Sequence, residues 1–284
     1  MKTWLPPYLL NGPALLIFVV MLVVPMVMTL ILSFNSFDFY GGIQEDYGWH
    51  NYLEVVKDSY FHEIFARTYG IAIAVTLICI IIGAPEAYIL SRMSKTWRSL
   101  CLLAILGPLL ISVIVRTLGW ALLIGNNGVI NEVLLGVGII ETPLKMMFTT
   151  GGIVVALVHV LVPFMVLSVW TTLQKLDPQV ESAALSLGAS HFTTLRRVVL
   201  PQVMPGVLAG SLIVFALTAS AFATPSILGG RRLKVVATTA YDEYLNTLNW
   251  PLGAAIAVIL LIANVVVVMS YNRYVERKYA AVFD

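Results

Sequence analysis

Ionisable side chains embedded in long apolar runs are where chemistry is first sought in this sequence, because such charges are costly and mark binding sites or solute pathways. Glu86 follows Pro85 within one such run. A carboxylate there can attract a cationic solute, or it can reach the interface or pair locally near Arg92; Pro85 is expected to kink its helix. Arg116 closes another run, where it lines a path or anchors among headgroups. Tyr241, Asp242, Glu243 and Tyr244 make an acidic and aromatic cluster. Such groups suit a protonated amine through charge and cation–π attraction, and equally suit an ordinary solvated loop. His159 reads as a packed histidine or a proton relay. The four histidines (His50, His62, His159 and His191) are scattered, and no nucleophile–base pair or metal-ligand spacing occurs. The two cysteines, Cys79 and Cys101, sit in apolar runs and read as small packing residues. No catalytic residue, no metal and no enzyme are expected.

The elements that carry these residues are set by composition. Of the 284 residues 59% are hydrophobic and 11% charged, and the mean hydropathy is +0.90. Soluble domains carry about 25% charged residues, so lipid must be the solvent for much of this chain. A net charge of +2 does not call for a nucleic-acid partner. Six segments are apolar and long enough to be read as membrane spans: Pro13–Ser33, Thr68–Leu90, Leu100–Val115, Gly152–Leu173, Gly206–Leu228 and Leu252–Tyr271. The first exceeds the apolar core of a signal peptide and is read as a span. The piece Gly128-Val-Ile-Asn-Glu-Val-Leu-Leu is too short to cross and is expected at the interface or re-entrant. The fold expected is an all-α integral membrane protein of about six spans, one transmembrane domain over residues 1–284.

Charge distribution gives an orientation. The two termini and the loops on their side carry ten basic and four acidic residues, the opposite loops seven and ten. By the positive-inside rule both termini are cytoplasmic. Trp49, Trp97, Trp120 and Trp250 fall near predicted helix ends, where amphipathic rings settle.

The loop from Gln174 to Gly206 is the most informative stretch. Asp177 is a good N-cap and Pro178 suits the first helical position. Val180, Ala183, Ala184 and Leu187 then share one face. Gly188 supplies a stop or bend, and Ser190 can cap a second short helix containing Leu195, Val198 and Val199. Pro201 and Pro205 are expected to punctuate its end before the fifth span. A bent helical knob of small residues can enter a groove on another protein, or can pack back on its own bundle.

This loop, about 174–205 between the fourth and fifth spans, resembles the cytoplasmic signature loop of binding-protein-dependent ABC importer permeases, E-A-A-x3-G-x9-I-x-L-P. The match is Ser182-Ala183-Ala184, Gly188, then Val198-Val199-Leu200-Pro201, with both spacings kept. Ser182 stands where the pattern has glutamate, and Glu181 precedes it; a one-residue shift turns a helical side chain by about 100°. Arg116-Thr-Leu-Gly-Trp120, Gly128-Val-Ile-Asn-Glu132 and Asn249-Trp-Pro-Leu-Gly-Ala-Ala255 resemble the spermidine/putrescine-type permeases of that superfamily. Related permeases for thiamine, iron or opine-like compounds look similar.

The resemblance implies a type I importer permease of the bacterial cytoplasmic membrane. Its loop, through Glu181, Ser182, Ala183, Ala184, Gly188, Leu200 and Pro201, would couple to cytoplasmic ATPase subunits that bind ATP and magnesium. A second permease subunit, usually a paralogue, and a periplasmic or extracellular solute-binding protein would complete the importer. The chain has no G-x4-G-K-[ST] loop of its own for phosphates. An ion-coupled secondary transporter is the competing reading; it would need inverted repeats and several midplane ionisable groups, of which Glu86 is one candidate.

Overall fold

The computed structural model describes residues 7–283, and they are mostly helical. Six stretches of helix are long and apolar enough to cross a membrane. The described residues fall into two compact units.

The first unit comprises the residues up to Glu63 together with Thr239–Ile262. It holds α1 (Pro7–Leu32), a two-stranded hairpin of β1 (Ser36–Asp38) and β2 (Gly42–Gln44), and α2 (His50–Lys57). The hairpin turn is built by Asp38, whose carboxylate accepts from the backbone N–H groups of Tyr40 and Gly41, and by Gly42 at φ +71°. Asn51 ties the end of α1 to α2: buried, it donates to the carbonyls of Ser33 and Asn35 at 2.9 and 2.8 Å.

The second unit comprises Ile64–Thr238 and the described residues from Ala263. Most of α3 (Ser59–Arg92) lies in it, followed by α4 (Lys95–Leu106), α5 (Val113–Ile124), α6 (Val129–Gly136) and α7 (Thr150–Leu173). Then come α8 (Pro178–Ser186), α9 (His191–Thr194), α10 (Leu200–Ala219) and α11 (Ala223–Gly229). Helices α12 (Val236–Leu245) and α13 (Trp250–Phe283) each have residues assigned to both units.

Helix α7 is the core of the second unit, with Ile153, Met165, Val166 and Val169 fully buried. In lipid the apolar surface of a helix gains little by leaving the solvent, so association depends on close packing of small residues. Three glycines provide it. A Cβ on Gly206 of α10 would lie 2.8 Å from the Ser168 carbonyl oxygen of α7, and one on Gly210 would lie 2.9 Å from the Met165 sulfur. On α3, a Cβ on Gly83 would lie 2.9 Å from Met165 Cγ. The closeness lets Ser168 Oγ donate across to the Gly206 carbonyl at 2.8 Å. Cys79, buried, and Cys101 are both free thiols.

Two of the expected spans are corrected. Leu100–Val115 is not one helix. Pro108 lacks an N–H, and the chain tightens into a 3-10 turn at Gly107–Leu110 and extends at Ile111 before α5 begins. The stretch long enough to cross is Val113–Gly136, which takes in the piece expected to be interfacial. The fifth stretch long and apolar enough to cross is likewise earlier than Gly206–Leu228, at His191–Ala219. Pro201 and Pro205 both lie inside it, and just before Pro201 the helix widens into a π-turn at Leu195–Val199. There the Leu200 N–H bonds the Leu195 carbonyl, five residues back, which gives the Pro201 ring room where an α-turn would clash.

Candidate functional site: a bent hook and two membrane cavities

The loop after α7 forms a hook whose local chemistry follows the sequence closely. Asp177 accepts from the Gln179 N–H at 2.9 Å and starts α8. At its end Gly188 adopts φ +86°, a left-handed conformation that a Cβ would strain. The Ala189 N–H then reaches the Ala184 carbonyl and the Gly188 N–H the Leu185 carbonyl, at 3.1 and 2.9 Å. These two bonds are a Schellman closure, which satisfies carbonyls that the helix end leaves open. Ser190 caps α9 through the Thr193 N–H at 3.2 Å. Through the π-turn the hook runs directly into α10, of which Leu200 and Pro201 are the first two residues.

The hook has one bound face and one bare face. On the bound face the Glu181 carboxylate accepts from the Tyr88 hydroxyl at 2.9 Å and pairs with Arg92, both on the last turns of α3. The guanidinium also lies over the Tyr88 ring, 5.3 Å from its centroid. A cavity of about 130 Å³ separates α3, α8 and the π-turn at this point, lined by Tyr88, Arg92, Glu181 and Gln202 among others. On the bare face Ala183 is exposed, Leu187 is 89% exposed and Phe192 71%. Glu181 therefore supplies the polar anchor, and Ser186 bonds back to the Ser182 carbonyl within α8. The sequence placed Arg92 near Glu86 and did not connect Tyr88 or Arg92 to the hook; their i, i+4 spacing at the basic end of a span was the available signal.

Within the second unit, Glu86 and Arg116, both proposed for a solute path, line different cavities. Glu86 lines a cavity of about 400 Å³ together with Trp120 and His159. Arg116 lines a different one, of about 340 Å³, with Leu157, Leu161, Phe164 and Thr224. The residue is buried, at 9% exposure. It donates to the Pro108 carbonyl, pinning the break between α4 and α5, and its Nε is buried without a partner. Tyr241, Asp242 and Glu243 belong to the first unit. Asp242 accepts from the Asn246 amide at 2.9 Å and Glu243 from the Thr247 hydroxyl at 2.6 Å, bonds within one helix end. Asn131, fully buried, was not foreseen as a structural residue. Its amide donates to the Gly125, Asn126 and Leu144 carbonyls and accepts from the Leu144 N–H, and so closes the loop after α6. Among the described residues no group of three metal-ligating side chains occurs.

Residues 9–280 match the family model of the binding-protein-dependent transport system inner membrane component. The spermidine/putrescine transport system permease protein PotB of Salmonella typhimurium (strain SL1344) is 31% identical over 237 residues, 82% of each chain. The molybdenum transport system permease protein ModB of Mycobacterium bovis is 32% identical over 192 residues, 67% of this chain and 70% of that one. Among solved structures, a chain of a bacterial ABC transporter that imports the acidic polysaccharide alginate superposes with a TM-score of 0.82 at 16% identity, covering 95% of this chain and 94% of that one. The fold is that of type I ABC importer permeases, and the chain belongs to the family of binding-protein-dependent transport system inner membrane components, the permease subunits of ABC importers.

Proposed function

We propose that this permease imports a polyamine or a closely related aliphatic amine, and that the hook at 177–201 is the element through which ATP hydrolysis drives it. The amine assignment is supported by 31% identity to PotB, shared along 82% of both chains. The coupling assignment is supported by one feature above all: a hook tied to α3 through Glu181, continuous with α10, and bare on the face carrying Ala183, Leu187 and Phe192. A push on that face is transmitted to two membrane helices by rigid connections.

In this reading Glu181, Ser182, Ala183, Ala184, Gly188, Leu200 and Pro201 couple the permease to cytoplasmic ATPase subunits, which hold the ATP and magnesium. Both termini lie in the cytoplasm. A second permease subunit, a paralogue, completes the path, and a solute-binding protein delivers the amine from outside. The test is uptake by the complete importer in proteoliposomes, with the receptor supplied externally. Putrescine and spermidine are expected to accumulate and to stimulate ATP hydrolysis. Uptake of molybdate instead, or uptake driven by a proton gradient without ATP, would refute the reading.

A further inference from the structure

The cavity of about 400 Å³ brings together residues that no sequence spacing relates: Glu86 from α3, Trp120 from α5 and His159 from α7. The Trp120 indole N–H donates to His159 Nδ1 at 3.2 Å, and the two rings meet edge to face with centroids 5.6 Å apart. By accepting at Nδ1, His159 is fixed as the neutral tautomer that carries its proton on Nε2. It therefore adds no positive charge to the cavity. Among the described residues none forms a hydrogen bond or ion pair with Glu86. A carboxylate in a membrane span that forms no ion pair with a described residue can take a cation from elsewhere. The remaining wall is apolar, with Ile82, Val158 and Val162 among its residues.

We infer that this cavity binds the ammonium group of the transported solute, with Glu86 as the counter-charge and Trp120 as an aromatic wall held in place by His159. The walls select the rest of the ligand. One acceptor-only carboxylate, one π-face and a hydrocarbon lining suit an ammonium group on a polymethylene chain, and disfavour an anion or a heavily hydroxylated solute. The volume falls within the range of small-molecule sites. The inference rests on the amine-import reading above and deepens it by assigning residues.

The test is the KM for putrescine uptake by the complete importer in proteoliposomes, for wild type, Glu86→Gln, Glu86→Asp and Trp120→Leu. Loss of a charge-assisted contact is expected to raise KM about tenfold or more in Glu86→Gln, with part of the loss recovered in Glu86→Asp and a smaller rise in Trp120→Leu. Wild-type uptake with an unchanged KM in Glu86→Gln would overturn the site while leaving amine import intact. Absence of putrescine uptake by the wild type, with uptake of another solute, would overturn the amine reading and the site with it. Should Glu86→Gln fail to assemble, Glu86→Asp and Trp120→Leu decide: raised KM values support the site and unchanged values overturn it.

Discussion

Removing the Glu181 carboxylate should uncouple the hook from α3, and the size of the effect can be worked from its contacts. The bond from the Tyr88 hydroxyl, at 2.9 Å, is to an ionised acceptor, a class that contributes about 1.5–3 kcal/mol. The Arg92 side chain is 51% exposed, so solvent screens that pair to no more than about 1 kcal/mol. Glu181→Gln keeps a neutral acceptor for Tyr88 and loses about 1–2 kcal/mol; Glu181→Ala loses about 2–3 kcal/mol. The smaller loss already shifts the ratio of attached to detached hook by a factor of about 5–30. The assay is solute accumulated per ATP hydrolysed by the complete importer, with thermal unfolding of the same preparation measured in parallel. Both the coupling ratio and the unfolding temperature should fall in the order wild type, Glu181→Gln, Glu181→Ala. Tyr88→Phe combined with Glu181→Gln should be less damaging than the sum of the two, because one removes and the other weakens the same bond. Wild-type coupling and unfolding in Glu181→Ala would refute the assignment of Glu181 as the anchor.

Two further outcomes follow from the packing and the electrostatics. Gly206→Ala places a methyl against the Ser168 carbonyl and the Thr172 hydroxyl; with the overpacking and the strained Ser168–Gly206 bond together it should destabilise by about 2–4 kcal/mol, read as a lower unfolding temperature in detergent. Glu54, on α2 outside the spans, has its carboxyl pushed above the usual range by burial and then by the charges of Glu243 and Asp58, with His50 opposing. A raised carboxyl favours folding below its unfolded pKa and loses that contribution as pH rises through the folded value. Glu54→Gln should therefore be more stable than wild type at pH 8, with the advantage vanishing at pH 4, as measured by thermal unfolding at both.

What could be read from the chain alone was local or periodic. The N-caps Asp177 and Ser190 and the bend at Gly188 are single-residue decisions of backbone chemistry, and they appear where their residue types demand. Four spans, α1, α3, α7 and α13, were visible as uninterrupted apolar runs. The failures came where two signals conflict. Hydropathy alone joined α4 to α5 across Pro108, where the missing N–H breaks the helix. At Pro201 the opposite error arose, because a π-turn absorbs the ring and hydropathy gives no hint of it. The Glu86, Trp120 and His159 cavity was illegible for another reason. Its residues stand on three helices, and only tertiary packing around Met165 and Gly83 brings α3 beside α7. Likewise Glu181 announced itself as a displaced charge, but its partners on α3 lie 93 residues away from it in the case of Tyr88.

What touches the bare face of the hook decides whether it couples the permease to an ATPase. A photo-crosslinking residue placed at Leu187, 89% exposed and at the tip of the bend, in the assembled importer should form an adduct with the ATPase subunit, and the yield should change when ATP is bound. An adduct with the external solute-binding protein, or labelling of Leu187→Cys by a membrane-impermeant thiol reagent applied from outside, would put the hook on the wrong side of the membrane and contradict the mechanism.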